Sequence, residues 1–320
     1  MPFSGRAPAG QHTESKLRTA RSSCMDAMRP HLVWRGLWLA MPAFLAAGMI
    51  FFGTALPTVA GETADLVDAS ADSPVAATEC HLHYPFVVNI LDPLHKTHMC
   101  TGVLIQSHIV LSTASCLRLI EAGEDLPYTR PGSCNLNKYD GPEGNEEVIR
   151  VQEKIVHEEY TGQPQGGSNF ALLVLKDKMK KHTPIHRTTS IQGCTSANLS
   201  TVGWFANPID DSPSPFLYVA WSLSHIAPDK CEETLDKMKN PLPKDAICAI
   251  TPPSSNRAWD EGAPLLCYDH NGDPSLVGLG TFDGALPGKK TYSPYVYTHI
   301  SEMKGWIDKN IKTFVDKTEL

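Results

Sequence analysis

WDEGAPLLC, residues 259–267, sets two consecutive acids, a glycine, a small residue and a proline directly before an apolar run that ends on a cysteine. Gly262 and Pro264 punctuate the chain, and Leu265, Leu266 and Cys267 read as a strand entering a core. The rest of the sequence repeats that pattern. FVVNIL (86–91), VIRVQEKIVHEEY (148–160) and FALLVL (170–175) form a first group of runs rich in Val, Ile and Leu. TVGWF (201–205), LYVAWSLSHI (217–226), AICAI (246–250), SLVGLGTF (275–282) and YVYTHI (295–300) form a second. With 25 prolines and 23 glycines between such runs, the chain reads as all-β, in two β-halves. Its 320 residues and 42 % hydrophobic content suffice for one large core or two modest ones. ISEMKGWIDKNIKTF (300–314) is the exception: Ile300, Met303, Ile307, Ile311 and Phe314 recur at intervals of three and four, which predicts a closing helix with Ser301 able to cap its start.

The N-terminus carries Arg18, Arg21, Arg29 and Arg35 ahead of GLWLAMPAFLAAGMIFFGTALPTVA (36–60), an apolar stretch with Thr58 and Ala60 as small residues at its exit. Residues 1–60 therefore read as a signal peptide with an N-terminal extension, and initiation at Met28 would give it ordinary proportions. The alternative is an uncleaved single-pass anchor, since the stretch is long enough to span a bilayer. Cleavage after Ala60 removes six basic and two acidic residues and moves the formal net charge from −7 to −11. So acidic a chain argues against nucleic acid as a partner, and against a membrane unless the N-terminal segment stays attached. Residues 61–79 hold five acids, no Lys or Arg and no hydrophobic period, and are expected to be a flexible lead-in. Eight cysteines follow the segment, an even number that suits disulfides in an oxidising compartment. Asn198-Leu199-Ser200 is a glycosylation sequon, and the closing residues Lys317-Thr318-Glu319-Leu320, in a tail of residues 315–320, are close to the Lys-Asp-Glu-Leu retention address. Secretion and residence in the endoplasmic reticulum lumen are both consistent with these signals.

From about Cys80 to Phe314 the chain resembles a trypsin-like (chymotrypsin-fold) serine protease domain. The resemblance rests on CTGVLIQSHIVLSTASC (100–116), SNFALLVL (168–175), DAICA (245–249), DEGAPLLC (260–267) and SPYVYTHISEMKGWI (293–307), in that order. It implies two antiparallel six-stranded β-barrels with a C-terminal α-helix and a cleft between the barrels, spanning residues 80–314. It also implies disulfides Cys100–Cys116, Cys194–Cys267 and Cys231–Cys248, leaving Cys80 and Cys134 to pair with each other. The catalytic positions it identifies are degenerate: Glu261 stands at the nucleophile, Ser115 at the imidazole and Asn169 at the carboxylate, and Trp259 replaces the oxyanion glycine.

That family's chemistry requires a hydroxyl nucleophile, an imidazole that accepts its proton, and a buried carboxylate that fixes the imidazole. Glutamate is a poor nucleophile toward amides, because the mixed anhydride it would form is itself highly reactive. Serine is no base near neutral pH. Loss of an oxyanion donor typically costs about 10²–10³ in turnover, and a bulky aromatic resists the backbone conformation a glycine allows there. SPVAA (73–77) takes the approximate place of the activation sequence with no Lys or Arg before it, so Asp260 has no new α-amino group to pair with and must find another donor or lie in a zymogen-like loop. Arg257 and the surroundings of Ala285 replace a pocket disulfide, and Asp283 stands near a position that is normally glycine.

Smaller signals have simpler readings. GPEGNEE (141–147) resembles part of a calcium loop in some members, with Glu143 and Glu146 as oxygen donors, but a solvated acidic loop is the plainer account. His81 and His83, taken to lie on an extended segment, lack a third zinc ligand, and KDKMKKH (176–182) reads as a solvated loop between the halves. No metal and no cofactor are expected. The functional expectation is an inactive protease homologue of the secretory pathway that binds a protease, an inhibitor or a maturing glycoprotein. The alternatives are an enzyme with relocated chemistry, in which Glu261 acts as acid or base, and a membrane-tethered structural protein.

Overall fold

The computed structural model describes residues 73–318 except 76, 95, 121–124, 138–146, 189, 206–212, 237–240, 253–259 and 284–293. The signal or anchor segment, Trp259, Arg257, Ala285, Glu143, Glu146 and the last residues of the tail therefore lie outside the described residues, or their side chains do.

The chain enters through β1 (Ser73–Pro74) and α1 (Ala77–His83). Six strands follow: β2 (Val87–Leu91), β3 (His98–Gln106), β4 (Ile109–Ser112), β5 (Tyr128–Pro131), β6 (Ile149–Val156) and β7 (Ala171–Leu175). They close into an antiparallel barrel in the order β2-β3-β4-β7-β6-β5, with β5 pairing back to β2. β2, β4 and β7 are buried at every position, which explains their largely apolar sequences, interrupted only by the buried Asn89 and Ser112. β6 starts with the alternation of a half-exposed strand, Ile149 and Val151 inward and Arg150 and Gln152 outward.

The second half comprises β8 (His186–Arg187), β9 (Leu199–Gly203), β10 (Tyr218–Ala220), β11 (Ser224–Ile226), α2 (Pro228–Asp236), β12 (Ala246–Ile250), β13 (Pro264–Tyr268), β14 (Pro274–Asp283) and β15 (Tyr295–His299). Among the described residues it is a curled β-barrel sheet in the order β1-β10-β9-β13-β14-β15-β12-β11, with β8 parallel to β14. The extra pairings are short: β1 and β8 contribute two residues each. LYVAWSLSHI does not form one strand, because Ser222 adopts φ 60° and separates β10 from β11. α3 (Ile300–Thr318) closes the molecule, with Ile300, Met303, Ile307, Ile311 and Phe314 all buried. Ser301 lies inside its first turn rather than at the cap, and its hydroxyl bonds His299 Nδ1 at 2.8 Å.

The lead-in is ordered earlier than its composition suggests. β1 pairs with β10 through Ser73–Val219 and Pro74–Tyr218, and Val75 N–H donates to Leu217 O at 2.9 Å. An open sheet edge supplies the backbone partners that the segment's own side chains do not. His81 and His83 consequently lie on a helix, where residues two apart point in divergent directions, so the pairing expected of an extended segment is lost. In 176–182 the loop is exposed as expected, anchored by the buried Met179.

All four disulfides are formed: Cys80–Cys134, Cys100–Cys116, Cys194–Cys267 and Cys231–Cys248. Cys80–Cys134 fastens α1 to the loop after β5 across 54 residues. Peptide mapping without reduction is expected to recover these four pairs. Replacing Cys80 and Cys134 together by Ser is expected to cost about 3–4 kcal/mol in denaturant unfolding, from the loop entropy restored to the unfolded chain.

Candidate functional site

β4 runs buried into Thr113, Ala114 and Ser115, where the chain turns into a short 3-10 helix at Cys116–Leu119. The Cys100–Cys116 disulfide ties this corner to β3. Asn169 precedes β7 and is fully buried. It is set by Ser168, held at φ 52° with its N–H donating to Asp245 Oδ2 at 2.8 Å from the other half of the molecule. The third segment, residues 260–262, leads into β13. Gly262 has φ +80°, and a Cβ there would stand 2.0 Å from Thr101 O, so both conformation and space require glycine.

These segments bring Ser115, Asn169 and Glu261 together. Ser115 N–H donates to Asn169 Oδ1 at 2.8 Å, and Asn169 Nδ2 donates to Ser115 Oγ at 2.9 Å. The Ser115 hydroxyl in turn donates to Glu261 Oε1 in a short hydrogen bond, and Thr113 Oγ1 donates to the same oxygen at 3.0 Å. Tyr160 Oη is buried beside Ser115 without meeting hydrogen-bond geometry. Thr113 and Asn169 are fully buried, whereas Ser115 and Glu261 are partly exposed. Burial pushes the Glu261 carboxyl above its ordinary value and Asp260 adds to the rise, while the hydroxyls of Ser115 and Thr113 and the charge of Arg118 oppose it. Burial likewise raises the Tyr160 phenol, against the nearby Ser115 hydroxyl. Among the described residues no histidine hydrogen-bonds Ser115 or Glu261.

Asp260 points the opposite way and has found other donors. Thr101 Oγ1 donates to Oδ2 at 2.5 Å and Trp204 N–H to the same oxygen at 2.8 Å, while His98 Nε2 stands 3.7 Å from Oδ1. The other ring nitrogen of His98 bonds Asn89 Oδ1 at 2.8 Å. The segment is pinned further by Thr101 N–H to Glu261 O at 2.8 Å. Thr101, Thr113, His98, Tyr160 and Asp245 were not singled out from the sequence. Thr113 carried one signal, its place two residues before Ser115 in STASC, but a threonine in a strand end has no spacing that marks it.

A sequence profile of the trypsin family, described as Trypsin, matches residues 77–307. The chain belongs to the trypsin family. Bovine duodenase-1 is 26 % identical over 224 residues, which cover 68 % of this chain and 80 % of the relative. Human kallikrein-4 is 23 % identical over 267 residues, covering 82 % and 95 %, and human kallikrein-8 is 29 % identical over 224 residues, covering 67 % and 77 %. The secreted serine protease VesC from Vibrio cholerae has the same fold, with a TM-score of 0.60 at 20 % identity. That likeness covers 74 % of this chain and 47 % of VesC. Within this family frame Ser115, Asn169 and Glu261 converge, with a hydroxyl between an amide and a carboxyl.

The Asn198 sequon is put to structural use. Asn198 Oδ1 accepts from Thr195 N–H at 2.6 Å, and Nδ2 donates to Tyr268 O at 2.9 Å and Gly193 O at 3.2 Å. A glycan replaces one Nδ2 hydrogen and removes one of those bonds, beside Leu199 and Ser200, which are fully buried. These contacts predict that Asn198 carries no glycan in the folded protein. Glycosidase treatment leaves the folded protein's mobility unchanged, and Asn198→Ala lowers unfolding free energy by about 2 kcal/mol.

The raised Glu261 carboxyl has a stability consequence of fixed sign. A folded-state value above the unfolded one means the folded protein keeps the proton longer, so the contribution is complete at acidic pH and is lost as pH rises through the folded value. Glu261→Gln, which keeps an acceptor for Ser115 and Thr113 without the charge, is expected to raise the melting temperature at neutral pH. It should leave the temperature in acid nearly unchanged, as read by thermal melts across pH.

Proposed function

We propose that this chain is a catalytically inactive member of the trypsin family that works in the secretory pathway as a protein-binding, regulatory or scaffolding module. The observation that carries this reading is Ser115. It occupies the imidazole position, donates its hydroxyl to Glu261 and receives a hydrogen bond from Asn169, so the position holds no group able to take a nucleophile's proton near neutral pH. Glu261 at the nucleophile position adds a second obstacle, because its carboxyl makes an unstable acyl intermediate with an amide substrate. Four disulfides support an oxidising compartment, and relatives such as duodenase-1 and the kallikreins are consistent with one. Suitable partners are a protease, an inhibitor or a maturing glycoprotein, held through the cleft and its loops and released uncut.

The test is a peptide library incubated with the purified protein and read by mass spectrometry. No peptide bond is expected to be cleaved beyond the level of buffer, and cleavage that scales with protein concentration would overturn the proposal. Partner capture from the native tissue, with Gly262→Ala as a loop-distorted control, is expected to lose its partner in the control. N-terminal sequencing separates the soluble from the tethered form: Gly61 at the mature terminus marks a cleaved segment.

A further inference from the structure

The network around Ser115 contains the parts of a nucleophilic site in a rearranged order. A nucleophile needs a base within hydrogen-bond reach and a third group that orients the base. Ser115 Oγ donates to Glu261 Oε1, and Thr113 Oγ1 holds that same carboxyl oxygen at 3.0 Å. Asn169 grips Ser115 twice, through its backbone N–H at 2.8 Å and through Oγ at 2.9 Å, which fixes the hydroxyl rotamer and leaves Oγ a lone pair. The two reacting groups are partly exposed while the two positioning residues are fully buried, an arrangement suited to a reagent arriving from solvent. Two groups able to stabilise developing negative charge lie near: the Tyr160 phenol beside Ser115, and Arg118, whose charge acts on both Glu261 and Tyr160.

The geometry points to Ser115 as an acyl- or phosphoryl-accepting nucleophile, with Glu261 as the base that takes its proton, for activated esters and fluorides whose leaving group departs without being protonated. In the step, Ser115 Oγ forms a bond to the electrophilic carbon or phosphorus and its proton passes to Glu261 Oε1. The aryloxide or fluoride then leaves with the bonding electron pair, and Glu261 returns its proton to solvent. No oxidant or other reagent enters. A peptide makes a harder demand: its amine must be protonated as it leaves, and the family meets that with the imidazole this chain lacks. The inference goes beyond inactivity toward peptides and does not depend on it.

The environment of Glu261 sets the pH range. Around it are the hydroxyls of Ser115 and Thr113, the Tyr160 phenol and the charge of Arg118, while Asp260, turned the other way, acts on it through its charge alone. Burial holds its carboxyl above the ordinary value, so the base form appears at higher pH than for an exposed glutamate and is the stronger base once formed.

The probe is an alkyl fluorophosphonate, followed by intact-mass measurement and peptide mapping of the wild-type full chain. One phosphonyl group is expected on Ser115, with a rate that rises with pH through the Glu261 ionisation. Ser115→Ala is expected to abolish the label, and Glu261→Gln to slow it by roughly 10²-fold or more, the usual worth of a general base. Thr113→Val, which removes a donor favouring the carboxylate, is expected to shift the rise toward higher pH, an effect that mere loosening of the fold does not produce. Absence of label, label on another residue, or a rate indifferent to Glu261→Gln overturns the inference. Because the map is made on wild type, it stands even where a variant folds poorly. Peptide cleavage in the library assay overturns the inactive reading alone, so the two failures are distinguishable.

Discussion

Residues 260–262 couple the two halves of the molecule, and the site exists because they are clamped. Two consecutive carboxyls leave one short segment in opposite directions: Asp260 reaches Thr101, Trp204 N–H and His98, and Glu261 reaches Thr113 and Ser115. The main chain between them is held by Thr101 N–H on Glu261 O, and Gly262 supplies the positive φ that lets the chain turn against Thr101 O. Every one of these partners except Trp204 belongs to the first barrel or the turn that follows β4. A buried Asp260 beside a partly exposed Glu261 would repel it and remain poorly solvated without such donors, and removing a partner from a buried charge commonly costs about 3–5 kcal/mol. The clamp is thus a condition of the fold as well as the frame of the site.

The convergence of Ser115, Asn169 and Glu261 has a backbone part, carried by β4, the segment before β7 and the turn before β13, and a side-chain part, carried by their mutual hydrogen bonds. Ser115, Asn169 and Glu261 meet because the frame still converges, and they satisfy one another because amide, hydroxyl and carboxyl make a continuous donor-to-acceptor chain. A buried polar group without a partner is costly, so substitutions at these positions survive only in mutually satisfying sets. Replacement of one member by a residue that breaks the chain would leave Asn169 or Thr113, both fully buried, with unpaired polar atoms.

Much of the frame was legible in the sequence because burial writes itself into local patterns. β2, β4 and β7 are buried on every side and read as largely apolar runs; α3 carries its period of three and four. Glu261, Ser115 and Asn169 were marked by their place in DEGAPLLC, STASC and SNFALLVL rather than by any local property. What escaped notice was set by distant partners. The bond from Thr101 to Asp260 spans 159 residues, that from Thr113 to Glu261 spans 148, and that from Ser168 to Asp245 spans 77. No window along the chain shows such a pair. The lead-in failed for a related reason: residues 73–79 have no hydrophobic period, yet β10 offers them an edge and Cys80 is fastened to Cys134.

The order of groups in the site differs from the family's imidazole arrangement, because Ser115 stands between Asn169 and Glu261 in one run of hydrogen bonds. In the imidazole arrangement the proton acceptor stands between nucleophile and carboxylate, so it both takes the proton and is stabilised once charged. Here the middle position is a hydroxyl, and the charge must fall on Glu261, whose burial disfavours it and whose neighbour Asp260 adds to the cost. Burial thus shifts Glu261 toward the neutral acid, while the hydroxyls of Ser115 and Thr113 oppose that shift. Any nucleophilic chemistry at Ser115 draws on the less stable, ionised form. Stability and reactivity therefore pull Glu261 in opposite directions.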